Sequence, residues 1–201
     1  MIVDEAQAVS ALAAGKVVAI PTETVYGLAV DPALVSATDR LFAVKGRPET
    51  VALPVLVADG NVAGQLGVLD ARAARLVERY WPGALTIVMR RRGGVAFELG
   101  GDPATIGLRC PAHPVALRLL AMTGPLAVTS ANRHGERPSR SAAEVVTALG
   151  ESLLVLDGGR CEGEASTVVS IISPRVVCLR EGAIPMSEIV LALRGGRPED
   201  S

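Results

Sequence analysis

The run Val17-Val18-Ala19-Ile20 is apolar at every position and halts at Pro21. An extended segment of that kind is stable only where both of its faces are covered. Largely apolar runs recur at 53–58, 84–90, 105–109, 126–129, 153–156, 167–172 and 176–179. Helical spacings lie between them. Residues 4–14 have Asp4 as a cap and Gly15 as a stop, and 33–44 are apolar at Leu34, Ala37, Leu41 and Val44 before Gly46 and Pro48. Residues 71–80 follow Asp70 and are broken by Trp81-Pro82-Gly83. Further helices are expected at 114–122, 141–149 and 187–193. Strands covered on both sides and alternating with helices define an α/β fold, a sheet flanked by helices. No repeat or linker divides the chain, so 1–194 reads as one domain and 195–201 as a flexible tail.

Five residues are aromatic: Tyr26, Phe42, Tyr80, Trp81 and Phe97. The core must therefore be built from Ala, Val, Leu and Ile. A formal net charge of −1 excludes coating of nucleic acid by bulk electrostatics. Any affinity for phosphate has to come from a few placed cations. The three cysteines, Cys110, Cys161 and Cys178, are too far apart for a CxxC metal motif and read as free thiols of a reducing compartment. MIVDEAQAV lacks a signal-peptide pattern, and no run of 18 apolar residues occurs. A cytoplasmic protein with no membrane association is expected.

The phosphate-binding patterns GxxxxGK[ST] and GxGxxG are absent, as is the nucleophile pattern GxSxG. His113 and His134 are the two histidines, and no zinc-ligand spacing is present, so no metal site is expected from protein groups. What remains is a series of polar segments at strand ends. Each has an ordinary account. Ser130-Ala131-Asn132 can be a turn, Lys45 and Arg47 a solvated helix end, and Arg109 a surface charge. Ser166 can be an edge hydroxyl, and Arg90 to Arg92 a solvated strand end.

In order, the segments PTETVYGL (from Pro21), KGRP (from Lys45), WPGALT (from Trp81), TIGLRCPAHP (from Thr105), TSAN (from Thr129), STVV (from Ser166) and LREGAI (from Leu179) resemble the YrdC-like family. The resemblance runs from about residue 15 to 184. It implies a twisted, mostly mixed sheet around a concave, positively charged cavity. It also implies a threonylcarbamoyl-AMP synthase: L-threonine, bicarbonate and ATP give threonylcarbamoyl-adenylate and pyrophosphate. The product would pass to a tRNA threonylcarbamoyl transferase complex acting on adenosine 37, with at most weak contact between this chain and tRNA. Mg2+ would arrive with ATP. Longer members carry a further C-terminal domain, and this chain is expected to be the short form.

Carried over residue by residue, Thr24, Arg109, Ser130 and Ser166 would line the threonine pocket, with Tyr26 as a wall. Arg47, Thr105, Asn132, Ser141 and Arg180 would hold ATP. Lys45 and Arg47 would stabilise charge at the reacting atoms. Loops 93–103 and 133–139 are candidates for closure over the site.

Departures from the family pattern keep two other readings open. Val51 and Ala52 stand where many members have Asn-Pro, Leu56 where they have His, and Ser170 where they have Asp. Glu136 is an additional residue before Arg137-Pro138-Ser139, which blurs the match at Ser141. These departures suit a carbamoyl-adenylate enzyme with another substrate. The Arg90 to Arg92 triplet suits an RNA-binding module.

Overall fold

The computed structural model describes residues 1–46, 50–133 and 135–194. Arg47 and the expected 195–201 tail lie outside these residues. Ten strands form one sheet: β1 (Ile2–Val3), β2 (Val18–Ile20), β3 (Gly27–Val30), β4 (Val55–Leu56), β5 (Leu85–Arg90), β6 (Thr105–Arg109), β7 (Leu126–Ser130), β8 (Leu154–Leu156), β9 (Thr167–Ser170) and β10 (Val177–Arg180). The helices are α1 (Glu5–Ala13), α2 (Val35–Lys45), α3 (Gly60–Leu66), α4 (Ala71–Tyr80), α5 (Pro114–Thr123), α6 (Ala142–Leu149) and α7 (Met186–Arg194). The spatial order is β1-β8-β2-β3-β7-β4-β6-β5-β9-β10. Pairs β1/β8, β8/β2, β4/β6 and β5/β9 are parallel and the others antiparallel, so the sheet is mixed.

Local chemistry accounts for the element ends. Asp4 and Gln7 form a reciprocal capping box on α1, with bonds of 2.8 and 3.1 Å. Asp70 accepts from the Arg72 and Ala73 amides at the start of α4. Gly46, at φ +62°, turns the chain out of α2 in a conformation that costs other residues.

Two expectations need correction. The 53–58 run forms a regular strand only at Val55–Leu56; Pro54 has no N–H to give, although its carbonyl accepts from the Val128 amide at 2.9 Å. Strand β10 is exposed at all four residues and is not covered on both faces. Three elements were not anticipated: β1, only two residues long, β3, which follows the polar Thr22-Glu23-Thr24 run, and α3, which carries Gly60 and Gly64 and is capped by Asp59.

The two faces of the sheet are covered unequally. Leu41, Ala63, Leu76, Val145 and Ile189 bring α2, α3, α4, α6 and α7 onto one face, against Ala19, Leu28, Ile87 and Leu108. On the opposite face, Leu12 of α1 and Leu119 of α5 pack on Val18, Ile20, Ala29 and Val128. Side chains alternate between the two cores along β2 and β3, which is why those strands are apolar throughout. Helices α1 and α5 stop short of β6, β5 and β9. There the second face carries Thr86, Val88, Thr105, Gly107 and Val168 and opens into a cavity of about 470 Å³.

Candidate active site

The cavity floor is the uncovered half of that second face. Its walls are the 22–27 segment, the 50–54 segment, the 101–105 turn and the end of β10. The volume falls within the range of small-molecule sites.

Thr22 to Val25 form the tight connection between β2 and β3. Thr22 Oγ1 accepts from the Thr24 and Val25 amides, each at 3.2 Å, and donates to the Val25 carbonyl at 2.7 Å. Thr24 Oγ1 lies 2.9 Å from Thr22 Oγ1. Side-chain hydroxyls thus replace ladder bonds that this connection cannot make. Arg109, at the end of β6, is buried and reaches this loop. Its Nη2 donates to Glu23 Oε1 at 2.7 Å and to Thr24 Oγ1 at 3.2 Å, and its Nε donates to the Gly83 carbonyl at 3.0 Å.

Arg180 faces the same cavity from the last residue of β10. Among the described residues its hydrogen-bond partner is Ser166: Nε and Nη2 donate to the Ser166 carbonyl at 3.0 and 2.7 Å, and Nη2 to Ser166 Oγ at 2.9 Å. Thr86 Oγ1 lies 3.2 Å from Ser166 Oγ. Although the residue as a whole is exposed, desolvation of its guanidinium at the cavity wall lowers the Arg180 pKa, and the like charge of Arg109 adds to that. Gly182 makes this corner possible, since a Cβ there would sit 2.0 Å from the Ala165 carbonyl oxygen.

Of the residues expected in the site, the structure brings Thr24, Tyr26, Thr105, Arg109, Ser130, Ser166 and Arg180 to the cavity lining. Thr105 Oγ1 donates to the Asp102 carbonyl at 3.1 Å. Tyr26 contributes to the wall, but its hydroxyl bonds the 157–159 turn, 3.1 Å from Asp157 Oδ1 and 2.8 Å from the Gly159 carbonyl. Burial raises its pKa.

Lys45 and Asn132 sit behind the wall. Lys45 is buried, and its Nζ donates to the Ser130 carbonyl (2.7 Å), Ser130 Oγ (3.1 Å), the Asn132 carbonyl (2.9 Å) and Asn132 Oδ1. Asn132 Nδ2 donates to the Arg133 and Glu136 carbonyls. Together they fasten the end of α2 to the turn after β7. Ser141 caps α6 by accepting from the Glu144 amide at 3.2 Å and is not in the lining. Arg47, as noted, falls outside the described residues.

The two candidate loops differ. In the 93–103 loop, the Leu99 carbonyl accepts from the Leu53 amide at 2.8 Å, and Gly101 and Asp102 edge the cavity. In the 133–139 loop, Ser139 is pinned by backbone bonds to Tyr26 and Ala131. Sequence reasoning passed over Glu23 and Thr86. A carboxylate flanked by Thr22 and Thr24 beside an apolar strand was the available signal for Glu23.

Among the described residues, no group of three or more His, Cys, Asp or Glu side chains could hold a metal ion. Asp102 is the carboxylate in the lining. No helix of the described residues is long and apolar enough to cross a membrane.

The Sua5/YciO/YrdC family model, described as telomere recombination, matches residues 10–182. A threonylcarbamoyl-AMP synthase of Halorhodospira halophila is 40% identical over 158 residues, which are 78% of this chain and 83% of that protein. The threonylcarbamoyl-AMP synthase of Bacillus subtilis is 36% identical over 189 residues, covering 92% of this chain and 55% of its own length. The crystal structure of Pyrococcus abyssi Sua5 complexed with L-threonine superposes with a TM-score of 0.90 at 32% identity, over 96% of this chain and 60% of that one. Against those last two proteins the chain spans a little over half their length. The order of motifs, the mixed sheet and the matched span agree: this chain belongs to the Sua5/YciO/YrdC family.

Proposed function

We propose that this chain is a threonylcarbamoyl-AMP synthase, joining L-threonine, bicarbonate and ATP into threonylcarbamoyl-adenylate and pyrophosphate. The observation that carries the reading is the convergence of two arginines, Arg109 and Arg180, on one cavity lined by the hydroxyls of Thr24, Thr86, Ser130 and Ser166. The threonine amine adds to bicarbonate with loss of water, giving a carbamate. A carbamate oxygen then attacks the α-phosphorus of ATP, and pyrophosphate leaves with the bonding electron pair.

Both reactants are anions, so the protein's main task is to offset their repulsion and to hold them in line. Arg109 forks onto the threonine carboxylate, and Thr24 and Ser130 orient the amino acid beside it. Arg180 stabilises the charge that builds on the phosphoryl oxygens. A preorganised contact of that kind lowers the barrier by about 3 kcal/mol. Lys45 and Asn132 hold the Ser130 turn in place, and Lys45 adds positive charge behind it. Thr105 lies on the ATP side of the cavity, near Asp102. Arg47 completes the cation set, and Ser141 supports this side by starting α6.

Mg2+ would be carried by the triphosphate and keep most of its waters, and Asp102, a carboxylate of the cavity lining, would be the side chain to help hold it. Bound there, it would neutralise pyrophosphate charge. The product would be consumed by a transferase acting on tRNA, in the cytoplasm.

The test is pyrophosphate release by the purified chain with ATP and Mg2+, with L-threonine and bicarbonate each present or omitted. Release that requires both is expected. Release indifferent to threonine, or none, would overturn the reading.

A further inference from the structure

We infer that Glu23 is a positioning residue that sets the guanidinium of Arg109 for carboxylate recognition, a role that rests on the function proposed above. Glu23 is not among the residues lining the cavity. It reaches the site only through Arg109, whose Nη2 it accepts at 2.7 Å, with side chains 23% and 8% exposed. The Gly83 carbonyl takes Nε, while Thr24 Oγ1 shares Nη2. Two anchors of opposite origin fix the plane of the guanidinium. Nη1 is the nitrogen left without a protein partner among the described residues.

Arg180 brings a second cation to the same cavity. Its guanidinium feels the like charge of Arg109, and among the described residues its hydrogen-bond partners are neutral. The Glu23 carboxylate offsets positive charge at the Arg109 corner. Glu23 is itself held in place: its carbonyl accepts from the Gly163 amide at 3.1 Å, and a Cβ at Gly163 would lie 2.5 Å from that carbonyl oxygen. Glu23 Oε2 is buried with no hydrogen-bond partner among the described residues. Leaving a buried carboxylate oxygen unpaired is unfavourable, so the charge of Arg109 is its main compensation.

The experiment compares wild type, Glu23→Gln and Glu23→Asp in threonine-dependent pyrophosphate release, alongside thermal melts. Gln keeps the shape and the acceptor but removes the charge. The expected result is a rise in KM for L-threonine of about tenfold, with KM for ATP within about twofold and little change in melting temperature. In a double-mutant cycle with Arg109→Lys, the two losses should not add, because one acts through the other. An unchanged threonine KM would overturn the inference, as would equal losses for threonine and ATP or additive losses in the cycle. If Glu23→Gln fails to fold, Glu23→Asp decides by the same split. A wild type that does not respond to threonine would instead refute the function proposed above, before any variant is compared.

Discussion

Arg109 and Arg180 face one cavity but are held in opposite ways. Arg109 ends a covered strand and is clamped by a carboxylate, a hydroxyl and a backbone carbonyl drawn from two different loops. Arg180 ends an exposed edge strand and, among the described residues, rests on Ser166 with no carboxylate bonded to it. The first corner is compensated and geometrically fixed, which suits recognition of a planar carboxylate. The second keeps its charge unspent, which suits stabilisation of negative charge that grows during reaction. Clamping spends part of a cation's charge on its partner, so one arginine cannot be both the most rigid and the most strongly charged.

Breaking the clamped corner should have the largest effect. Arg109→Ala leaves the half-buried Glu23 with neither oxygen paired among the described residues. Unfolding free energy should fall by about 3–5 kcal/mol, and turnover by about 10²–10³-fold. Denaturant melts and pyrophosphate release measure the two. Arg180→Ala should cost about 10²-fold in turnover but less than about 1 kcal/mol in stability, because its partners are neutral and its strand is at the edge. Equal stability losses in the two variants would erase the distinction between the corners.

Ser166→Ala removes the hydroxyl that bonds both Thr86 and Arg180. It should lower turnover by about tenfold while the carbonyl anchor keeps Arg180 in place. A loss as large as that of Arg180→Ala would show that the hydroxyl, and not the carbonyl, holds the guanidinium.

The smallest expected effect is a pH dependence on the clamped side. Burial holds His113 below its ordinary pKa, although the charge of Glu23 opposes that and Arg118 reinforces it. A depressed value in the folded state means that the stability it contributes is present above the unfolded value of about 6.5 and is lost as pH falls through the lower folded value. Melting temperature should therefore decline on acidification below pH 6.5, and His113→Gln should flatten the decline. Thermal melts between pH 7.5 and 5 measure it.

Much of this was legible in the chain. Asp70 and Trp81-Pro82 marked both ends of α4, and Asp4 marked the start of α1, because caps and breakers act within a few residues. β1 and α3 were not legible. Two residues carry no periodicity, and two glycines weaken a helical pattern that tertiary packing of Ala63 and Leu66 then restores. For the site, the ordered motifs pointed to Thr24, Arg109, Ser130, Ser166 and Arg180, and these do meet at the cavity. Lys45 and Asn132 belong to the same motifs yet lie behind the wall, since their polar atoms are consumed by one another and by the β7 turn.

The sequence by itself determined the α/β class, the family and the residues that carry charge, since these depend on local pattern and residue identity. Only the tertiary structure decided that half of one sheet face goes without a helix, and that this bare half forms the candidate site. It also decided that Glu23 is spent on Arg109. The partners are 86 positions apart, and no local rule links them. Their distance in space follows from where β3, β7, β4 and β6 fall in the sheet.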